Sequence, residues 1–241
     1  GTMGGDIAAV AALNGFSVSL SDRDASAVEK AVLRATSLFE RRLKTDKAIA
    51  GANARLILDV AGAHIGDADI IIEAVAERLE VKQAIFKEVE RVAKPGAILA
   101  TNTSSIMIED IAASLNQPER LIGLHFFNPV PVLPLVEVIF GAQSDSDVLT
   151  RAMCFAGQLK KMPVKVKSVK GFLVNRALLP YIFKAICLME GGESADKIDQ
   201  AMVRFGMPMG PIELADQVGL DVCYDVGKVL GMPQVADDAL V

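Results

Sequence analysis

The sequence predicts an α/β protein: a mostly parallel sheet covered by helices on both faces, followed by an all-helical region. Three observations carry this. Apolar β-rich runs alternate with amphipathic helical runs over the first two thirds of the chain. Those runs are continuously apolar, as strands buried on both faces are. Past "KSVKG", near residue 168, the alternation stops and helix follows helix. The 241 residues, 51% of them apolar, are enough for two cores, so domains over 1–168 and 169–241 are expected.

The chain opens with "GTMGGDIAAVAALNG", a glycine turn running into a short helix after Gly5. "FSVSLSD", residues 16–22, alternates as a strand and ends in Asp22. "SAVEKAVLRATSLFERRLK" is a long helix that opens with Ser26 and Glu29 at capping-box spacing. "DIIIEAVAE", "GAILATNTSS", "RLIGLHFFN" and "PLVEVIFG" are strands, with helices "RLEVKQAIFKEVERVA" and "IEDIAASL" between the first three. A helix at "SDSDVLTRAMCFAGQLKK" and a strand at "PVKVKS" complete the alternating part.

Composition removes several classes of function. A net charge of −5 leaves no basic stripe for nucleic acid. Cys154, Cys187 and Cys223 form no CxxC pair, which argues against a zinc site or a disulfide framework and fits a reducing, cytoplasmic compartment. No apolar run approaches the roughly 20 residues a membrane span requires. No metal is implied.

Two stretches carry chemistry. A dinucleotide-binding turn reads G-x-G-x-x-G, because glycines let backbone N–H groups reach a pyrophosphate at the positive end of a helix. Gly1 and Gly4 fit the second and third glycines, and Asp22 stands where an acid would take the adenosine ribose hydroxyls. That arrangement is Rossmann-like and selects NAD, because a carboxylate repels the 2′-phosphate of NADP; Arg23 beside it pulls the other way. A second reading of "GTM" as vector residues stays open on local pattern alone. The other stretch pairs His125, at the end of one apolar strand, with Glu137, an acid inside the next. A buried carboxylate needs a partner, and a hairpin-like return would supply the imidazole. Such a pair makes a general base, or a structural core histidine. His64 has no such setting and reads as a loop residue. "TNTSS" ends a strand at the sheet edge where ligands bind.

In order along the chain, "GTMGGDIA", "EAVAE", "TNTSS", "HFFNPV", "PLVEVI", "GFLVNR" and "GMPMGPIELAD" resemble the L-3-hydroxyacyl-CoA dehydrogenase family, both single enzymes and the dehydrogenase part of multifunctional fatty-acid oxidation proteins. The resemblance covers nearly the whole chain. It implies NAD-dependent oxidation of L-3-hydroxyacyl-CoA to the 3-ketoacyl-CoA in fatty-acid β-oxidation. It places the catalytic pair on His125 and Glu137, and substrate contacts on Ser104 and Asn175. Cofactor contacts fall on Gly1, Thr2, Met3, Gly4, Asp22, Ala74, Glu77, Lys82, Ser104 and Asn128. It also implies a coenzyme A-binding hairpin, where Lys44 or Lys47 could meet phosphates, and a homodimer or a place in a larger β-oxidation protein. Rival readings are a sugar-acid or other hydroxy-acid dehydrogenase on the same scaffold and a non-catalytic relative. Compared with the family pattern, the first strand and first glycine are lacking, and the chain ends at "VADDALV" before the family's final helices. The polypeptide is therefore expected to extend about ten residues upstream of Gly1, or to have another segment in the central strand position.

Overall fold

The computed structural model describes residues 1–231; residues 232–241, where the expected end of the helical domain falls, lie outside the described residues. The chain forms two compact units, Gly1–Ser168 and Val169–Val241.

In the first unit the elements run α1 (Thr2–Leu13), β1 (Val18–Leu20), α2 (Ala25–Arg42), α3 (Asp46–Ala54), β2 (Leu56–Leu58), β3 (Ile70–Glu73), α4 (Leu79–Val92), β4 (Ile98–Thr101), α5 (Ile108–Ala112), β5 (Leu121–Phe126), β6 (Leu135–Phe140), α6 (Ser146–Gln158) and β7 (Met162–Lys167). Strand pairing is parallel throughout except at β5–β6. There are two sheets, β1–β2 and β3–β4–β5–β6–β7, so β1 and β3 are each paired on one side only. β4 and β5 are buried along their whole length, as their unbroken apolar runs require.

The start of the chain departs from the sequence expectation. Helix α1 begins at Thr2 rather than after Gly5, so Gly4 and Gly5 lie inside its first turns. Packing overrides the low helix propensity of glycine here. A Cβ at Gly5 would stand 2.6 Å from the Ala31 Cβ on α2, so only a residue without a side chain lets the two helices approach this closely. The remaining buried face of α1 is mostly alanine, Ala8, Ala9, Ala11 and Ala12. Helix α2 is also capped elsewhere than the spacing suggests: Asp24, not Ser26, is the N-cap, and its side chain accepts the Ser26 N–H at 2.9 Å. An aspartate presents its acceptor directly in the N-cap position, which displaces the proposed box by two residues. Helix α3 and strand β2 were not foreseen; Thr45 caps α3 through the Ala48 N–H.

The second unit is helical over its described residues: α7 (Val174–Glu190), α8 (Ala195–Phe205), α9 (Pro211–Val218) and α10 (Leu220–Val229). Asp199 of α8 anchors the start of α9, accepting the Ile212 and Glu213 N–H groups at 2.8 and 3.0 Å.

Candidate active site

Open parallel sheets bind ligands beyond the carboxyl ends of their strands, and the predicted residues of the first unit cluster at those ends. At the first, Gly1 is the N-cap of α1, no side chain of the described residues caps the helix, and no acid lies in its first turn. The leading N–H groups of a helix are the kind of donors that take an anionic ligand. The Asp22 carboxylate lies against the Gly1 backbone nitrogen and accepts the Asp24 N–H at 3.1 Å. Gly4 faces Ala74 just past β3, where an added Cβ would stand 3.5 Å from that of Ala74. Thr2 and Met3 form the first turn of α1 with it. Glycine, acid and strand end are therefore neighbours, and a pyrophosphate with its ribose fits this cradle.

At the ends of β3 and β4 lies a charged cluster. Lys82 on α4 is fully buried, with Nζ 2.9 and 3.1 Å from the two Glu73 carboxylate oxygens and 3.2 Å from Glu77 Oε2. Glu73, the last residue of β3, also accepts the Thr101 hydroxyl at 2.8 Å and the Val75 N–H at 2.6 Å. Glu77 Oε1 accepts from the Thr103 hydroxyl and from the Ser104 and Ser105 N–H groups at 2.5, 2.8 and 3.0 Å. Burial pushes the Glu77 carboxyl up, but the Lys82 charge and these donors outweigh it, and the net direction is down. Glu73 was missed by sequence reasoning. An acid closing the apolar run "DIIIE" is a weaker form of the signal that marked Glu137, which stands inside its run.

Residues His125 and Glu137 stand directly opposite each other in the antiparallel β5–β6 pair. His125 Nδ1 is 2.7 Å from Glu137 Oε2; the histidine is 6% exposed and the glutamate 0%. Opposed residues of an antiparallel pair project from the same face, so the strand register itself makes the contact. The Phe127 ring lies against the imidazole, with centroids 4.4 Å apart. Asn102, in the turn after β4, accepts the Phe126 N–H at 2.9 Å and ties that turn to the end of β5. Asn128 is exposed immediately beyond, joined to Pro129 by a cis peptide bond.

Other predicted residues fall apart from this edge or within the second unit. Asn175 lies in the first turn of α7, in the second unit. Lys44 and Lys47 are exposed at the α2–α3 turn, and Lys47 lines a shallow cleft with Leu43, Thr45, Ala48, Gly51 and Arg55. His64 is half exposed, its ring and backbone nitrogens both meeting Asp59. Among the described residues there is no metal-binding group of three or more acids, histidines or cysteines, and no helix long and apolar enough to cross a membrane.

A glycine-opened helix with an acid at the next strand end, and a carboxylate-paired histidine at the carboxyl end of a strand in the larger sheet, define a dinucleotide-dependent oxidoreductase. Comparison with known proteins makes this specific. The family model described as 3-hydroxyacyl-CoA dehydrogenase, NAD binding domain matches residues 1–169, and the C-terminal domain of the same family matches residues 171–238. A probable 3-hydroxybutyryl-CoA dehydrogenase of Bacillus subtilis is 40% identical over 95% of this chain and 82% of its own. A fatty acid oxidation complex subunit alpha of Pseudomonas entomophila is 39% identical over 99% of this chain, which spans 34% of that longer protein. The crystal structure of (S)-3-hydroxybutyryl-CoA dehydrogenase from Ralstonia eutropha superimposes with a TM-score of 0.91 at 39% identity, covering 95% of this chain and 83% of that one. The chain belongs to the 3-hydroxyacyl-CoA dehydrogenase family and is an NAD-dependent oxidoreductase with that family's dehydrogenase activity.

Proposed function

We propose that the protein oxidises the 3-hydroxyl of L-3-hydroxyacyl-CoA to a ketone in fatty-acid β-oxidation, with His125 as general base. The observation that carries this reading is the buried 2.7 Å contact between His125 and Glu137. An ionised carboxylate can only accept, so it fixes the imidazole proton on Nδ1 and leaves the lone pair on Nε2, the atom that takes the hydroxyl proton. Glu137 then stabilises the imidazolium as it forms.

NAD, when bound, supplies the hydride acceptor for the hydrogen leaving C3. The Gly1–Gly4 turn holds its pyrophosphate and Asp22 its adenosine ribose, while Ala74, Glu77, Ser104 and Asn128 line its path along the sheet edge; Lys82, fully buried, serves not as a direct contact but as the charge that holds Glu77. Ser104 and Asn175 orient the reacting oxygen. Residues 1–168 serve as the NAD-binding domain and 169–241 as the helical one. The substrate is a CoA thioester, met by the α2–α3 hairpin, and the protein works in the cytoplasm as a homodimer or within a larger β-oxidation assembly.

The test is NADH formation from 3-hydroxyacyl-CoA substrates of several chain lengths against the corresponding free hydroxy acids. Turnover of the thioesters alone supports the proposal. Turnover of the free acids alone would replace it with a hydroxy-acid dehydrogenase on the same scaffold.

A further inference from the structure

Buried ion pairs ordinarily balance, yet the cluster at the ends of β3 and β4 sets two carboxylates, Glu73 and Glu77, against one ammonium, Lys82. With all three ionised, its net charge is −1. Lys82 is fully buried and Glu73 is 5% exposed, so water screens this charge weakly on the protein side. Each group is also held in place. Glu73 grips Lys82 with both oxygens and is itself fixed by Thr101 and Val75, and Glu77 is pinned to the Thr103–Ser105 turn. The cluster and His125 lie on the same sheet edge, on successive strands linked by Asn102.

We propose that the Glu73–Lys82–Glu77 cluster sets the relative affinity for the oxidised and reduced cofactor, with Glu73 as the positioning residue that keeps its net charge at −1. The inference rests on the proposed function, because it needs the nicotinamide to react beside His125. Hydride transfer turns the cationic nicotinamide ring into a neutral one. A fixed negative charge at the sheet edge therefore favours NAD⁺ over NADH, whereas a neutral cluster loses that discrimination. Glu73 acts through Lys82 and Glu77 and makes no contact with the cofactor in this account.

The experiment measures dissociation constants of NAD⁺ and NADH separately, by calorimetry and by NADH fluorescence, for the full chain and its variants. Glu73→Gln is expected to weaken NAD⁺ relative to NADH by about three- to tenfold, the scale of one unit charge in a partly solvated site. Glu73→Asp keeps the charge and is expected to keep the ratio, even with a lower melting temperature. If Glu73→Gln does not fold, Glu77→Gln removes the same unit of charge from a side chain that is one third exposed, and the ratio is expected to fall likewise. A ratio unchanged in the folded Gln variants, or one that changes equally in Glu73→Asp, would reduce the cluster to a structural support. Because the readout is binding, it stands apart from turnover: a protein that discriminates as expected but leaves 3-hydroxyacyl-CoA unreacted would overturn the proposed function and not the charge effect.

Discussion

Replacing Gly5 by alanine sets two effects of opposite sign against each other, and the geometry decides the outcome. Alanine in a helix interior gains about 0.8–1 kcal/mol over glycine. The new methyl, however, would lie 2.6 Å from the Ala31 Cβ and 3.0 Å from an Arg34 guanidinium nitrogen. Arg34 can swing aside, being the far end of a flexible chain; Ala31, 2% exposed on α2, cannot. Carbon contacts settle near 3.5–4.0 Å, so the helices must part by roughly 1 Å, an overpacking cost of about 1–3 kcal/mol. The net expectation is a loss of about 1 kcal/mol, or a melting temperature lower by roughly 2–4 °C. Gly4→Ala is the internal control. Its methyl would meet the Ala74 Cβ at an ordinary 3.5 Å, so stability should hold or rise. Its cost should instead appear as weaker NAD binding, since the methyl stands at the turn proposed to hold the pyrophosphate. Thermal and urea unfolding of the three proteins checks the pair. A Gly5→Ala protein as stable as its parent would refute the argument that close approach of α1 and α2 demands a glycine.

Asp22→Ala is expected to narrow the preference for NAD over NADP, measured as the ratio of kcat/KM with the two cofactors; a parent with no preference would hand control of the site to Arg23. Glu137→Gln should keep NAD binding while lowering turnover by about 10²-fold or more, because a neutral amide cannot stabilise the imidazolium; unimpaired turnover would make Glu137 structural only. Asp59 predicts a pH effect. The His64 N–H leads the causes that hold its carboxyl far below the usual aspartate range, with the Ala63 N–H and the Ser19 hydroxyl adding to it. A depressed folded-state value gives stability that is complete above the unfolded value and is lost as pH falls toward the folded one. The stability difference between the parent and Asp59→Asn should therefore shrink below about pH 4, and a difference constant from pH 7 to pH 3 would contradict it.

How much of this was legible in the sequence depended on whether a local pattern or a distant contact decided it. Strands β4 to β6 were plain because runs buried on both faces have almost no polar interruptions. Glu137 stood out for that same reason, and the strand register then carried it to His125. Helix α1 was placed too late because glycine weakens a helix in isolation, while its real constraint is the distance to Ala31, far along the chain. Helix α3 is short, and Gly51 breaks its local signal; Thr45 as its cap was the clue that remained. Glu73 was overlooked because nothing in the sequence tells a strand-ending acid that meets solvent from one that meets a buried lysine. Ties such as Asn102 to the Phe126 N–H join segments whose proximity only the folded sheet establishes.

The central claim, that His125 is the base in hydroxyacyl-CoA oxidation, is tested most directly by His125→Gln assayed for NADH formation alongside NAD binding. The account predicts that NAD binds nearly as tightly as in the parent while turnover falls by about 10²- to 10⁴-fold, the range for removing a positioned base. Near-normal turnover in a folded, NAD-binding His125→Gln protein would contradict it.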